Sequence, residues 1–319
     1  MKNTMVIDYL GSKNIDFIGD IHGHFDTLIK LFDKLGYKKS NGMYSHPERI
    51  PVFIGDYIDR GPKIFEVLQL VRSMQENGLA IALMGNHEYN FLCFHYTDHE
   101  GKHFRENSTK YFEQLKDTKL ALSNGNDLDS YLNWMSTLPI AIDAEKFRAV
   151  HAQWSHSDIN LLKNTGIKCL DKDGLSILFS NENKDIKEAV NRLLKGYEEV
   201  LDEKLWYKEH DNDRKEGRVK WWKKSKGKNF EDVFASLPEK EKTKDISSFT
   251  FKFNDFYPAD EKPVFFGHYW MEAKDFGLMN VNACCVDFSV AKKGLLVAYR
   301  FSGEQKLEKN NMIQVAYHS

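Results

Sequence analysis

The first ninety residues alternate short apolar runs with stretches whose apolar residues recur at helical spacing. One such stretch, Phe25–Leu35, predicts an amphipathic helix, and residues 64–74 predict a second. Short runs that read as buried strands lie at residues 14–19, 52–54 and 80–84, of which the last two are apolar throughout. Short runs of this kind are typical of strands buried on both faces of a sheet.

Strand, polar string and helix therefore occur three times in succession, with the polar residues at the carboxyl end of each strand. In open α/β sheets this edge is where ligands gather. The pattern predicts an α/β fold whose sheet has helices outside it and a binding site at that edge.

The pattern changes after residue 90. Residues 90–135 read as mostly helical, with a loop around residues 123–126, and residues 139–142 and 147–150 read as a hairpin. Strand signals return at residues 263–266, 281–288, 295–301 and 312–317.

The segment between these parts is charged and lacks a clear strand ladder. We interpret residues 155–261 as a largely helical cap inserted into a core formed by residues 1–154 and 262–319, with a helical pattern over residues 184–210. Within it, residues 204–228 hold ten Lys or Arg against four Asp or Glu, interleaved with aromatic residues. This stretch is either a solvated face with its Trp side chains packed into the cap, which we favour, or a contact for a polyanion.

Three polar strings carry the candidate chemistry. They are GDIHGH at residues 19–24, GDYIDRG at residues 55–61 and GNHE at residues 85–88. His151 and His268 also follow apolar runs. Five strand ends thus deliver one set of candidate metal ligands, namely Asp20, His22, Asp56, Asn86, His151 and His268. Mixed nitrogen and oxygen donors of this kind suit manganese, iron or zinc better than calcium.

Such a set suits a phosphoester hydrolase with two divalent ions, for which we expect manganese, with iron or zinc as alternatives. Two ions about 3.5–4 Å apart neutralise a phosphate ester and lower the pKa of a water between them, which then attacks phosphorus. His87 is not needed as a ligand and is the candidate general acid, oriented by Asp59. Arg60 and Asn86 are candidates for contacting the substrate phosphate, although Arg60 is equally suited to a structural salt bridge.

The overall composition is consistent with a two-metal phosphoester hydrolase. The net charge of −2 indicates no overall affinity for nucleic acid. The four cysteines form no CxxC pair, which favours a reducing cytoplasm. Residues 1–10 lack the apolar core of a secretory signal, and no apolar run is long enough to span a membrane, so we expect no membrane partner.

The three strings and the two later histidines resemble the calcineurin-like metallophosphoesterase superfamily, specifically its phosphoprotein phosphatase group. The resemblance implies a four-layer α/β/β/α sandwich holding two metals. It implies that one metal takes Asp20, His22, Asp56 and His268, and that the other takes Asp56, Asn86, His151 and His268, in a division that the sequence leaves open. It also places the catalytic histidine at His87 and its partner at Asp59.

This chain departs from the eukaryotic serine/threonine phosphatases, which carry Arg where Met84 precedes GNHE. Its GHYW string at residues 267–270 is closer to the bacterial branch that includes diadenosine tetraphosphatase-like and Rhizobiales-like phosphatases. We expect a phosphomonoesterase acting on a phosphoserine, phosphothreonine or phosphotyrosine protein or a small phosphate ester. The alternatives are a dinucleoside polyphosphate hydrolase, a nucleic-acid end phosphatase and a binding module without catalysis, of which the intact ligand and acid set argues against the last.

Overall fold

A computed structural model describes residues 4–9, 11, 13–40, 42–105, 109–123, 128–209, 212–225 and 227–318. Its helices are α1 (Phe25–Leu35), α2 (Ile64–Glu76), α3 (Asn86–His95), α4 (Thr109–Ser123), α5 (Leu128–Ser136), α6 (His156–Asn164), α7 (Lys172–Leu178), α8 (Lys184–Lys195) and α9 (Phe230–Val233). Its strands are β1 (Val6–Ile7), β2 (Asn14–Ile18), β3 (Lys38–Ser40), β4 (Met43–Ser45), β5 (Arg49–Phe53), β6 (Ile81–Ala82), β7 (Ala141–Asp143), β8 (Arg148–Val150), β9 (Glu198–Val200), β10 (Tyr207–Glu209), β11 (Asn212–Arg214), β12 (Glu216–Val219), β13 (Phe234–Ala235), β14 (Val264–Phe266), β15 (Ala283–Cys285), β16 (Asp287–Phe288), β17 (Leu295–Phe301) and β18 (Met312–Ala316).

Two mixed sheets form the centre of the molecule. The first has the order β16-β17-β2-β5-β6, with β18 paired to β17, and its strands β2, β5 and β6 run parallel. The second has the order β1-β7-β8-β14-β15, in which β8, β14 and β15 run parallel. Parallel neighbours place their carboxyl ends at the same edge, so five ligand-bearing strands reach one region from two sheets.

The inner faces of the two sheets pack directly against each other. Phe17 of the first sheet stacks on Phe265 of the second with ring centroids 3.7 Å apart, and both side chains are fully buried. The outer face of the first sheet packs against α1 and α2 through residues such as Leu28, Phe32 and Phe53. These layers confirm the α/β/β/α sandwich.

Most of the predicted elements are present. Helices α1 and α2 and the three early strands lie where the pattern predicts them, and β7 and β8 form the predicted hairpin. The region 90–135 is helical in α3, α4 and α5 but not around the bridge between Thr97 and His103. Of its predicted loop, residues 124–126 lie outside the described part of the chain.

Two expectations need correction. The helical pattern over residues 184–210 holds only for α8, because the chain then turns into β9 and β10. Helix α8 ends at Gly196, whose positive φ of 74° stops the helix. The strand expected over residues 281–288 is divided between β15 in one sheet and β16 in the other. The crossing point lies against Gly19, where an added Cβ would lie 2.0 Å from the Val286 carbonyl oxygen.

The proposed insertion also forms part of the packed core. It contains α6 to α9 and a three-stranded antiparallel sheet of β13, β12 and β9. Helix α6 contacts β1 of the second sheet, and the Leu193 carbonyl oxygen of α8 accepts the backbone N–H of Ala152 just after β8. These helices therefore supply the outer layer on that side, and the division at residues 154 and 262 stays a prediction.

The tryptophans of the basic stretch are packing residues. Trp221 and Trp222 are almost fully buried and lie 4.8 and 5.1 Å from the Phe266 ring, centroid to centroid. Lys220 donates to the Glu231 carbonyl oxygen at 2.5 Å. These contacts support the packing interpretation of residues 204–228 over a polyanion contact. Separately, none of the described helices is long and apolar enough to cross a bilayer.

Replacing Trp221 with Ala should lower the free energy of unfolding by about 3–5 kcal/mol, because the change empties a packed site and removes the bond from Nε1 to the Ala152 carbonyl oxygen. Denaturant unfolding measures the effect. Trp206→Ala, at a partly exposed ring of the same stretch, is the matched control and should cost clearly less. Equal losses for the two variants would contradict the packing role of Trp221.

Candidate metal centre

The candidate ligands lie in turns that directly follow the buried strands. Asp20 and His22 follow β2, Asp56 follows β5, and His268 follows β14. His22, Asp56 and His268 have positive φ values of 45°, 54° and 70°. Non-glycine residues rarely adopt this conformation, and it is concentrated at functional sites. The turns direct the side chains inward, and all but Asn86 among the six candidates are buried.

Asp56 is shared by two groups of donor atoms. In the first group, Asp56 Oδ2 lies 3.6 Å from His22 Nε2 and 3.8 Å from His87 Nε2. The ligand atoms of these three residues all lie within 4.8 Å of one another. The first group therefore brings a carboxylate oxygen and two imidazole nitrogens together.

The second group uses the other oxygen of the same carboxylate. Asp56 Oδ1 lies 3.4 Å from His151 Nε2. The side-chain oxygen of Asn86 lies 3.1 Å from His151 Nε2 and 2.7 Å from His268 Nδ1. Asp56, His151 and His268 again offer atoms within 4.8 Å of one another. These positions place His268 with the second group.

Backbone carbonyl groups orient the histidines. His22 Nδ1 donates to the Ile58 carbonyl oxygen, and His151 Nδ1 donates to the Ile54 carbonyl oxygen, each at 2.9 Å. Nε2 of both rings therefore faces Asp56, the orientation that metal-ligating histidines have in general. His22 Nε2 is buried and has no hydrogen-bond partner among the described residues. A buried nitrogen without a partner is costly, so the donor set fits a pair of divalent cations.

Two glycines let the carboxylates approach the backbone. A Cβ at Gly85 would lie 2.2 Å from Asp56 Oδ1, and one at Gly267 would lie 2.1 Å from Asp20 Oδ1. Asp20 also accepts the backbone N–H of His268, with Oδ2 at 3.1 Å. Asp20 is thereby held beside the second group as well as at the end of β2.

Glu88 fixes the turn that carries Asp56, a role that the sequence did not suggest. Its carboxylate accepts the backbone N–H groups of Asp56 at 2.9 Å, Tyr57 at 2.8 Å and Gly85 at 3.0 Å. Glu88 is fully buried. It therefore connects the GDYIDRG turn to the GNHE turn. Its position inside the GNHE string was the feature of the sequence that could have indicated this role.

Asp287 is a second buried carboxylate that the sequence reasoning missed. It accepts the backbone N–H groups of Trp270 at 2.7 Å and Ser289 at 2.9 Å. Burial and the charge of Asp287 raise the pKa of Asp20 well above its usual value. In the sequence Asp287 lies within the strand predicted over residues 281–288, so no pattern marked it as a site residue. It reaches the site because the chain crosses from one sheet to the other between β15 and β16.

The electrostatics of Asp56 are dominated by its imidazole neighbours. Burial favours its protonated form, but His151, His87 and His22 outweigh burial and hold the pKa of Asp56 well below its usual value. Asp56 is therefore ionised and available to both groups.

His87 belongs to a chain of hydrogen bonds. Its Nδ1 lies 2.5 Å from Asp59 Oδ2, and the other carboxylate oxygen of Asp59 accepts the Thr118 hydroxyl at 2.5 Å. All three residues are buried. Burial lowers the pKa of His87, but the carboxylates of Asp56 and Asp59 outweigh it and raise that pKa above its usual value. The pair predicted from sequence is present, and Thr118 on α4 is an additional member.

Arg60 lies at the mouth of the site. Its Nη2 lies 3.4 Å from His87 Nε2, and its Cζ lies 3.9 Å from the Trp270 ring centroid. Lys292 Nζ also lies over this ring, at 4.2 Å. Trp270 therefore forms part of the wall and positions cations there, whereas Trp154 is buried and carries the Arg148 guanidinium over its ring. Arg60 makes no salt bridge with any described carboxylate, which favours the phosphate role over the structural one.

One further cation comes from the insertion. Arg218 on β12 pairs with Glu198 at 3.2 Å and lies close enough to His268 that its charge adds to burial in lowering the pKa of His268. The sequence showed Arg218 only as one of ten cations in residues 204–228, without a motif to single it out.

Comparison with known proteins agrees with this architecture. The family model described as calcineurin-like phosphoesterase matches residues 13–269. The chain is 48% identical over 73 residues to bis(5'-nucleosyl)-tetraphosphatase PrpE [asymmetrical] of Halalkalibacterium halodurans, covering 23% of this chain and 30% of that protein. It is 30% identical over 144 residues to the symmetrical bis(5'-nucleosyl)-tetraphosphatase of Psychromonas ingrahamii, covering 43% of this chain and 45% of that protein.

These alignments span less than half of each relative's length. Among solved structures, the cold-active protein-tyrosine phosphatase of a psychrophilic Shewanella species superposes with a TM-score of 0.51 at 18% identity, over 99% of this chain and 84% of that one. This likeness concerns the fold. Because the family model covers most of the sequence, the chain belongs to the calcineurin-like phosphoesterase family.

Proposed function

We propose that this protein is a two-metal phosphoester hydrolase that acts first of all as a phosphomonoesterase. In this proposal Asp20, His22 and Asp56 hold one divalent ion. Asp56, Asn86, His151 and His268 hold the other, a division favoured by the 2.7 Å separation of His268 Nδ1 from Asn86 Oδ1. We expect manganese, with iron or zinc as alternatives.

Ions bound there would neutralise the phosphate oxygens and lower the pKa of a water held between them. The protein's own groups do the rest. Arg60 and Asn86 contact the phosphate oxygens and hold the ester in place, Arg60 through its planar guanidinium. His87 donates a proton from Nε2 to the leaving oxygen, while Asp59 retains the proton on Nδ1 and Thr118 fixes Asp59.

The observation that favours a phosphomonoesterase is the buried chain of His87, Asp59 and Thr118. An alkoxide such as that of serine is a poor leaving group and needs a proton, whereas the phosphate leaving groups of anhydrides need one less. A site that fixes its acid with two buried hydrogen bonds is therefore suited to esters of alcohols and phenols.

A second candidate is a dinucleoside polyphosphate hydrolase. The names of the bis(5'-nucleosyl)-tetraphosphatase relatives support it, together with the cations Arg60, Lys292 and Arg218 around the site. A phosphoanhydride chain carries several negative charges that such cations would attract.

Chelation should abolish hydrolysis of p-nitrophenyl phosphate, and added manganese should restore it, because charge neutralisation and water activation both depend on the ions. Turnover before and after dialysis against a chelator, with elemental analysis of the same samples, measures this. Full activity in a sample shown to hold no metal would refute the two-metal proposal.

Asp56→Asn should lower both metal content and turnover, because one carboxylate serves both donor groups. Metal per chain, measured by elemental analysis, is the primary readout. Asp26→Asn is the matched control, since Asp26 pairs with Lys63 on the surface of α1. Two tightly held ions per chain in Asp56→Asn would show that Asp56 does not join the groups.

His87→Asn should retain both metals and lose activity in proportion to the leaving group's need for a proton. General acid catalysis is typically worth about 10²–10⁴-fold. Hydrolysis of a phosphoserine peptide should fall by about this factor, and hydrolysis of p-nitrophenyl phosphate should fall less. Asp59→Asn should show the same pattern more weakly.

His46→Asn, at a histidine outside the site, is the control for these substitutions. Loss of metal in His87→Asn would make His87 a ligand of the first group, where its Nε2 already lies 3.8 Å from Asp56. Equal losses for both leaving groups would instead assign His87 to stabilising the transition state.

A further inference from the structure

A groove of about 710 Å³ is lined by Arg60 and by no candidate metal ligand. Its volume lies within the range of about 300–1,000 Å³ that is usual for small-molecule sites. Arg60 is also the residue whose Nη2 lies 3.4 Å from His87 Nε2. Arg60 therefore connects the groove to the nitrogen that donates the proton.

This position determines which part of a substrate enters the groove. A general acid has to lie within hydrogen-bond reach of the leaving oxygen. The phosphoryl group would lie over the donor groups around Asp56, so the rest of the substrate continues from His87 past Arg60. A substrate held in this way would present its leaving group to the groove.

The walls are largely apolar and aromatic. Tyr317 and His24 form an edge-to-face pair with ring centroids 5.2 Å apart. Leu120 of α4, which is 59% exposed, and Ala121 line the opposite part. A leucine and a tyrosine ring in one groove offer a surface on which a flat ring can pack, since aromatic pairs and stacks are favourable beyond their area alone.

The charged residues of the groove favour a ligand that carries a negative charge. Arg60 and Lys293 line the groove against the single carboxylate of Asp117. Lys293 makes no salt bridge with a described carboxylate, whereas many lysines of the insertion, such as Lys242, are paired. A cation held apart from acids at the edge of an apolar groove attracts a negative charge on the ligand.

We propose that this groove binds the leaving group, and that it selects an aromatic leaving group carrying a further negative charge. The inference rests on the proposed function of His87 and deepens it. Two sources share this chemistry, namely a nucleotide and a tyrosine flanked by acidic residues in a peptide.

Three phosphate esters test the inference. They are glycerol 2-phosphate, which has no ring, phenyl phosphate, which has a ring, and 4-carboxyphenyl phosphate, which has a ring and a charge. Tyr317→Leu should lower kcat/KM for both aryl esters by about fivefold, the size of one lost aromatic stack. It should leave glycerol 2-phosphate unchanged.

Lys293→Ala should lower kcat/KM about threefold to fivefold for 4-carboxyphenyl phosphate only, as a partly exposed charge pair would. The matched control is Lys38→Ala, at an exposed lysine of the β3–β4 hairpin. The same change for all three esters in Lys293→Ala, or no change in either variant, would overturn the proposal.

Binding of the reaction products distinguishes the nucleotide from the tyrosine peptide and tests the groove independently of catalysis. AMP and a dephosphorylated acidic tyrosine peptide are titrated calorimetrically into the wild type and Lys293→Ala. Weaker binding of one of them to the variant identifies the source, and unchanged binding of both overturns the proposal. If the wild type hydrolyses none of the esters but AMP or the peptide still binds through Lys293, the proposed function fails while the groove assignment stands.

Discussion

The shared carboxylate of Asp56 is the interaction on which the rest of the site depends. Its two oxygens face different donor groups, Oδ2 toward His22 and His87 and Oδ1 toward His151. A buried charge of this kind is stable only if its neighbours compensate it. Three imidazoles do so, and Glu88 holds the turn by accepting four backbone N–H groups.

The arrangement of the two sheets allows Asp56 to contribute to both donor groups. Asp56 comes from the first sheet and His151 and His268 come from the second, so the two groups join only where both sheets present their carboxyl edges together. The stacked rings of Phe17 and Phe265 hold the two sheets against each other. Packing between the sheets, more than any single strand, therefore sets the distances in the site.

Local pattern was sufficient for the parts that local physics determines. Apolar runs ending in Asp56 or Asn86 gave the strands and the edge, and helical spacing gave α1 and α2, because each signal lies within a few consecutive residues. Thr118, Glu88 and Asp287 were missed as contributors because their contacts span 59, 32 and 17 residues of sequence. Strands β9 and β12 were missed for a related reason, since they pair with each other across the intervening hairpin of β10 and β11.

The left-handed backbone at His22, Asp56 and His268 has an energetic consequence for the whole molecule. Each such residue costs on the order of 1–3 kcal/mol, so the site is a place where folding stability is given up for ligand geometry. Ions that bind only the folded chain return stability through mass action. Selection for a higher free energy of unfolding would therefore disfavour these three residues, whereas selection for faster turnover would favour them. The stability of the folded chain thereby depends on the concentration of free metal ions.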